Sequence, residues 1–272
     1  MADNRPIGVF DSGLGGLTVL SEISKILPNE NIVYFGDVGR VPYGNKSVDI
    51  IKLYANQAEK FLLTHDVKYI VAACGTVSSV AEPNADDLPV PFMGVVKTAV
   101  REAVETTKSG KIGVIGTEAT ITNGAHKREI LKLLPEAKVY EKACPLFVPL
   151  VEEGIFSLTD RIAVETAERY LLKMVEEGID TLILGCTHYP LLSDVRRQVV
   201  GENVRLVNMG VSTAATLKAE LEKNDMLRIS EEKPYQNFFA SDKTAAFSRV
   251  AKILLGKELC DKDLTVVDVS KK

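Results

Sequence analysis

Residues 111–121, KIGVIGTEATI, repeat the pattern of residues 6–16, PIGVFDSGLGG: a short aliphatic run that breaks into small and polar residues. The echo continues along the chain. NIVYFGDVG (31–39) is answered by AKVYEKACP (137–145), YIVAACGT (69–76) by TLILGCTH (181–188), and VPFMGVV (90–96) by NVRLVNMG (203–210), at offsets of about 105 to 113 residues. Such a period is too long for a solenoid and implies two copies of one unit. Segments of helical period separate the runs. After Ser47, for example, Ile50, Ile51, Tyr54, Ala58, Phe61 and Leu62 recur at spacings that make one apolar stripe. Strand–helix alternation with near-continuous aliphatic strands predicts an α/β fold: two pseudo-symmetric lobes, each a mainly parallel sheet flanked by helices, with the active site in the cleft between them.

The seam is expected near Val96 to Thr98, with no Pro- or Ser-rich linker. Lobe one is expected to hold residues 1–97 plus 210–272, the segments QNFFASD (236–242) and TAAFSRVAKILLG (244–256) returning to complete it, and lobe two residues 98–209. Joined only by a few chain crossings, the lobes are expected to close over a ligand.

Composition narrows the function classes. With 272 residues and 46% hydrophobic content the chain can bury a core unaided. A net charge of −4, few aromatics and no tryptophan give no footprint for nucleic acid. No apolar run approaches the roughly 20 residues of a membrane helix, and MADNRPIGVF does not read as a signal peptide, so a soluble cytoplasmic protein without membrane partners is expected. Residues 218–233, KAELEKNDMLRISEEK, read as a solvated helix end and loop. Four cysteines without CxxC spacing argue against disulfides and zinc, and no metal site is expected.

In open α/β sheets ligands bind beyond the carboxyl ends of the strands. Those ends carry Asp11-Ser12, Asp37 with RVPYG, and Cys74-Gly75-Thr76 in the first half, and Thr117 and Cys186-Thr187-His188 in the second. If the lobes face each other, one cysteine stands on each wall. A thiolate is a base and a nucleophile, and two bases on opposite faces of one carbon can remove a proton from one side and return it to the other, inverting the centre. A free cysteine is commonly a small buried hydrophobe, and Cys144 and Cys260 are read that way. For Cys74 and Cys186 the matched positions weigh against it. DSGLGG (11–16) alone is a weak phosphate-cradle signal, lacking the lysine and spacing of known loops.

GVFDSGLGGLTV (8–19), YFGDVGRVPYG (34–44), CPLFVPLVEEG (144–154) and LGCTHYPLL (184–192) resemble the motifs of the glutamate racemase family, within the aspartate/glutamate racemase superfamily. The resemblance implies cofactor-independent racemisation of L- and D-glutamate, an isomerase supplying D-glutamate for peptidoglycan, cell-wall biogenesis and cell shape. It implies Cys74 facing the D enantiomer and Cys186 the L enantiomer, assisted by Asp11, His188 and Glu152. It also implies substrate contacts at Asp11, Ser12, Pro42, Tyr43, Gly44, Gly75, Thr76, Thr117, Thr120, Thr187 and His188, and a cytoplasmic homodimer. The family usually carries Asn where this chain has Gly75, so a backbone N–H or another residue must stand in for that amide. No lysine occupies the strand-end motifs to carry a pyridoxal cofactor, so none is expected. Racemisation of aspartate and non-catalytic amino-acid sensing remain alternatives.

Overall fold

The computed structural model describes residues 3–81, 88–255 and 263–270. The first half runs β1 (Ile7–Asp11), α1 (Gly16–Ile26), β2 (Ile32–Gly36), a 3-10 turn at Tyr43–Asn45, α2 (Val48–Leu63), β3 (Tyr69–Ala72), α3 (Gly75–Val80), β4 (Phe92–Gly94) and α4 (Val95–Thr106). The second continues β5 (Lys111–Gly116), α5 (Glu118–Asn123), α6 (Ala125–Leu133), β6 (Lys138–Ala143), α7 (Phe147–Glu152), α8 (Arg161–Glu176) and β7 (Thr181–Leu184). A 3-10 turn at Tyr189–Leu192, α9 (Ser193–Val200), β8 (Arg205–Asn208) and α10 (Met209–Lys223) follow. The tail adds β9 (Gln236–Ala240), α11 (Ala245–Leu255) and β10 (Leu264–Val266).

Two parallel sheets result, ordered β10-β9-β2-β1-β3-β4 and β6-β5-β7-β8. Without β9 and β10, the first sheet has the strand order of the second, with β1 matching β5 and β3 matching β7. Phe10 pairs with Ala72 in one and Ile115 with Leu184 in the other, so Cys74 and Cys186 each follow two residues beyond the matched strand. Strands β1, β3 and β7 are buried along their whole length, as aliphatic runs sandwiched between helices should be. QNFFASD supplies β9, paired to β2 with Phe238 opposite Tyr34.

Local signals place the helices. Ser47 caps α2 by accepting the Ile50 N–H, and α2 buries Ile51, Ala55, Ala58, Phe61 and Leu62. Ile50, expected on that stripe, lies at its exposed rim. Helix α4 starts at Val95, inside what reads as a strand, because Gly94 ends β4 in extended geometry and the chain turns at once. Within 218–233, Arg228 departs from the expected solvated loop: it is buried and donates to the carbonyls of Asn29, Ser230 and Glu232. Cys260 lies outside the described residues.

The expectation of loosely joined lobes is overturned. One apolar cluster runs from Val9, Leu17 and Val96 through Ile112 and Ile183 to Val207 and Leu217, spanning both sheets beneath the cleft. Helix α10 packs on α1 and on α4. The Thr98 and Thr213 hydroxyls meet at 2.9 Å in that seam. Separating the lobes would expose this shared core, so its burial opposes wide opening.

Candidate active site

The β3–α3 and β7–Tyr189 connections face each other across a cavity of about 40 Å³. Cys74, Gly75 and Thr76 line it from the first lobe with Ser12 and the Pro42-Tyr43-Gly44 turn. Cys186, Thr187, His188, Thr117 and Glu152 line it from the second. Val41, Pro42, Gly44, Thr117, Val148 and Glu152 also border an outer vestibule of about 350 Å³. The inner chamber has room for a few waters; an amino acid requires its walls to move.

The two thiols differ in surroundings. Cys74 Sγ donates to Ser12 Oγ at 3.3 Å. Burial, and then the negative charge of Asp11, hold its pKa well above the usual thiol range, against weaker help from Ser12 and the Val77 N–H. Cys186 Sγ instead lies 3.8 Å from His188 Nδ1. His188 Nε2 is 3.3 Å from Glu152 Oε1, close enough for an ion pair but not aligned as a hydrogen bond. Burial alone would discourage charge on this imidazole. Cys186, Glu152 and Asp11 outweigh it and push its pKa up to about 10, so it is a cation at neutral pH.

Asp11 stands one layer behind the wall. Its Oδ2 accepts the N–H groups of Gly13 (3.1 Å) and Gly16 (2.8 Å), while Oδ1 has no partner. Burial raises its pKa, and His188 and the two amides pull it back. The DSGLGG glycines serve approach rather than a phosphate. A Cβ on Gly15 would come within 2.2 Å of Thr187 Oγ1, and one on Gly16 within 2.4 Å of Asp11 Cβ. Gly75 has the same use: a Cβ there would lie 2.3 Å from the Gly185 carbonyl oxygen, so its bareness lets the two cysteine-bearing turns touch.

Thr76 and Thr117 link hydroxyls across the cleft at 3.1 Å, and Thr117 continues to Thr120 at 3.0 Å. Thr120 therefore backs the wall rather than forming it. Asp37 is occupied too, accepting from the Tyr43 hydroxyl and taking both its oxygens to Arg40 Nε (2.9 and 2.7 Å). Thr18 Oγ1 donates to the Thr187 carbonyl at 2.9 Å, tying α1 to the second lobe. Among the described residues no group of three or more His, Cys, Asp or Glu side chains is placed to hold a metal, and no lysine lines the cavity. Cys144 is fully buried, away from the cavity. Val41 and Val148 line the mouth although sequence reasoning did not single them out. Val148 precedes Glu152 by four residues on α7, the spacing that shares a helix face.

The profile of the Asp/Glu/hydantoin racemase family matches residues 39–217, which contain both cysteine motifs. The chain belongs to the Asp/Glu/hydantoin racemase family. It is an isomerase acting on amino acids, as the glutamate racemases to which it is similar are. Among its relatives, glutamate racemase of Geobacter metallireducens is 46% identical over 259 residues, covering 94% of this chain and 95% of that protein. Among solved structures, glutamate racemase from Francisella tularensis in complex with D-glutamate superposes with a TM-score of 0.91 at 36% identity, covering 99% of this chain and all of that one. Glutamate racemase from Thermus thermophilus, in complex with β-chloro-D-alanine, gives 0.88 at 38% identity with complete coverage of both chains. The two-sheet architecture is thus that of this racemase family. Among the described residues no helix is long and apolar enough to cross a membrane.

Proposed function

We propose that this racemase interconverts L- and D-glutamate without a cofactor, by proton transfer between two thiols. The observation that carries the reading is the placement of Cys74 and Cys186, from matched strand ends, on opposite walls of one cavity. With the α-carbon between them, one sulfur as thiolate takes the α-proton and becomes a thiol. The carbon's electron pair is delocalised into the α-carboxylate. The opposite thiol then delivers its proton to the other face and becomes the thiolate. Cys74, buried beside Asp11, rests as the thiol. Cys186, beside the His188 cation, begins on the L enantiomer; the reverse direction needs the opposite distribution of protons.

The carbanionic intermediate requires donors fixed before the reaction. Ser12, Thr76, Thr117, the Tyr43–Gly44 turn, the backbone at Gly75 and the Thr187–His188 pair are the groups we assign to the substrate's carboxylates and ammonium. Asp11, Glu152 and Thr120 act through them. The chain divides for this purpose into residues 1–97 plus 210–272 and residues 98–209. A cytoplasmic homodimer supplying D-glutamate for peptidoglycan completes the reading; the relatives named above support its substrate, being glutamate racemases, one of them in complex with D-glutamate.

Circular dichroism of the purified protein with single amino acids tests it. Loss of optical rotation is expected from either glutamate enantiomer, and much more slowly from aspartate. Equal or faster turnover of aspartate would displace glutamate as the substrate.

A further inference from the structure

The chain leaves β2 at Gly36 and, before α2 begins, supplies Pro42, Tyr43 and Gly44 to the wall of the chamber. Among the described residues its backbone ties there are the Arg40 N–H to the Asp37 carbonyl (3.2 Å), the Lys46 N–H to the Tyr43 carbonyl (2.9 Å) and the Gly39 N–H to Ser241 Oγ (2.9 Å). Of these, the last alone leaves the segment, and it holds Gly39 rather than the turn. Side chains must therefore fix Pro42–Gly44 against the first lobe. Its placement matters on the other side as well, because a Cβ on Gly44 would lie 2.8 Å from Thr117 Cβ of the second lobe.

The side chains that do so meet at Arg40. Its Nε donates to both oxygens of buried Asp37, at 2.9 and 2.7 Å, and its Nη1 donates to Gln57 Oε1 of α2 at 2.5 Å. Its Cζ stands 4.0 Å from the centroid of the Tyr54 ring, also on α2, so the cation rests on a π face. Tyr43 closes the circuit: its hydroxyl donates to Asp37, and its ring lies 5.3 Å from that of Tyr54. One guanidinium thus joins the end of β2, the Tyr43 turn and α2. A planar fork makes these contacts together, whereas a point-like ammonium does not. Without it, the buried Asp37 carboxylate would keep the Tyr43 hydroxyl but lose its counter-charge.

Resting on the assignment of this turn to the substrate, we propose that Arg40 is a positioning residue for substrate binding, clamping Asp37, Tyr43 and Tyr54 together so that the Pro42–Gly44 wall stands where the substrate meets it. Arg40 itself is not among the residues that line the chamber, and both sulfurs are carried by other turns. The clamp therefore governs how tightly glutamate is held and leaves the proton transfers to the cysteines. An interaction made equally in the bound substrate and in the transition state acts on KM and not on kcat.

The test combines steady-state kinetics from each glutamate enantiomer with hydrogen exchange of the Tyr43–Lys46 amides in the full-length protein without substrate. For Arg40→Met, KM is expected to rise about tenfold from either enantiomer with kcat within about twofold of the wild type, and the amides of the turn should exchange faster. Arg40→Lys, which keeps the charge but not the fork, should recover only part of the loss. Tyr54→Leu removes the π face and should raise KM about threefold, and Tyr54→Phe, which keeps the ring, should restore it. The Tyr54 pair carries the test if the Arg40 variants do not fold. A general loss of stability would lower the amount of active enzyme, and so the apparent kcat, with KM in place. Unchanged exchange in the folded variants, or a fall in kcat at constant KM, overturns the proposal. Faster exchange with unchanged KM would instead overturn the assignment of this turn to the substrate.

Discussion

Cys74 and Cys186 occupy equivalent places in two halves of one duplicated unit, yet the halves surround them with opposite charge. The first lobe gives its cysteine a buried carboxylate, Asp11, and a hydroxyl, Ser12. The second gives its cysteine an imidazolium held by Glu152. In the proposed mechanism backbone symmetry presents two acid–base groups to opposite faces of one carbon, and side-chain asymmetry decides which is charged first. The duplication therefore explains where the sulfurs stand, and only local chemistry explains their protonation.

The largest effect that sharpens this contrast is removal of either sulfur. Cys74→Ser and Cys186→Ser should each lower racemisation of glutamate by about 10³-fold or more, since a serine hydroxyl is a far poorer base than a thiolate. Steady-state assays from both enantiomers check this, and full activity in both variants would remove the symmetry from the mechanism. Next comes the cation. His188→Asn should cost about 10²-fold in kcat, with Glu152→Gln costing less because the imidazole keeps Cys186 and Asp11 as partners. The sign of the pH dependence of stability, read by urea unfolding, follows from its pKa of about 10: the stability contributed by charged His188 is fully present below pH 6.5 and is lost as pH rises through 10. An alkaline limb that survives unchanged in the asparagine variant would show that another group sets it.

Smaller effects probe how closely the two turns approach. Gly75→Ala places a methyl carbon against the Gly185 carbonyl and should cost about 1–3 kcal/mol of stability, read by urea unfolding. An unchanged midpoint would mean that the turns yield freely. The smallest effect is a pair of opposed pH slopes. His126, in the second lobe, has its pKa pushed down to about 4 by burial, so its contribution is present above pH 6.5 and lost as pH falls toward 4. Glu59, in the first, is pushed up to about 7 by burial, so its contribution is present below pH 4.5 and lost as pH rises toward 7. His126→Leu should flatten the acid limb of stability by up to about 1.4 kcal/mol per pH unit, and Glu59→Gln should flatten the limb between 4.5 and 7. Parallel curves for variant and wild type would assign those limbs to other groups.

The strand pattern was legible because parallel strands are buried on both faces. IGVF, YIVA and TLIL therefore read as aliphatic runs wherever they occur, and their repetition exposes the two-sheet order. The matched cysteines were legible for the same reason, being the first reactive groups past equivalent strands. The shared core beneath the cleft was not legible. Val9, Ile183 and Leu217 read as apolar on any face, and only tertiary structure shows that they meet in one cluster. Gly75 could be read as a missing amide but not as a point of contact, since Gly185 lies 110 residues away along the chain. Arg196 sits among charged and polar residues in SDVRRQVV, where the sequence offers no sign that the first arginine turns inward and the second does not. Asp37 read as a site group because it ends a strand, whereas its partners Tyr43 and Arg40 make it a brace for the Tyr43 turn.

The most direct test of two bases on two walls is racemisation of protonated L-glutamate in D2O, followed at early times by NMR and chiral separation. Two opposed thiols predict D-glutamate carrying solvent deuterium at the α-carbon from the first turnover, while the remaining L-glutamate keeps its proton. D-glutamate that retains the substrate's own α-proton, or L-glutamate that exchanges without inverting, would contradict the account.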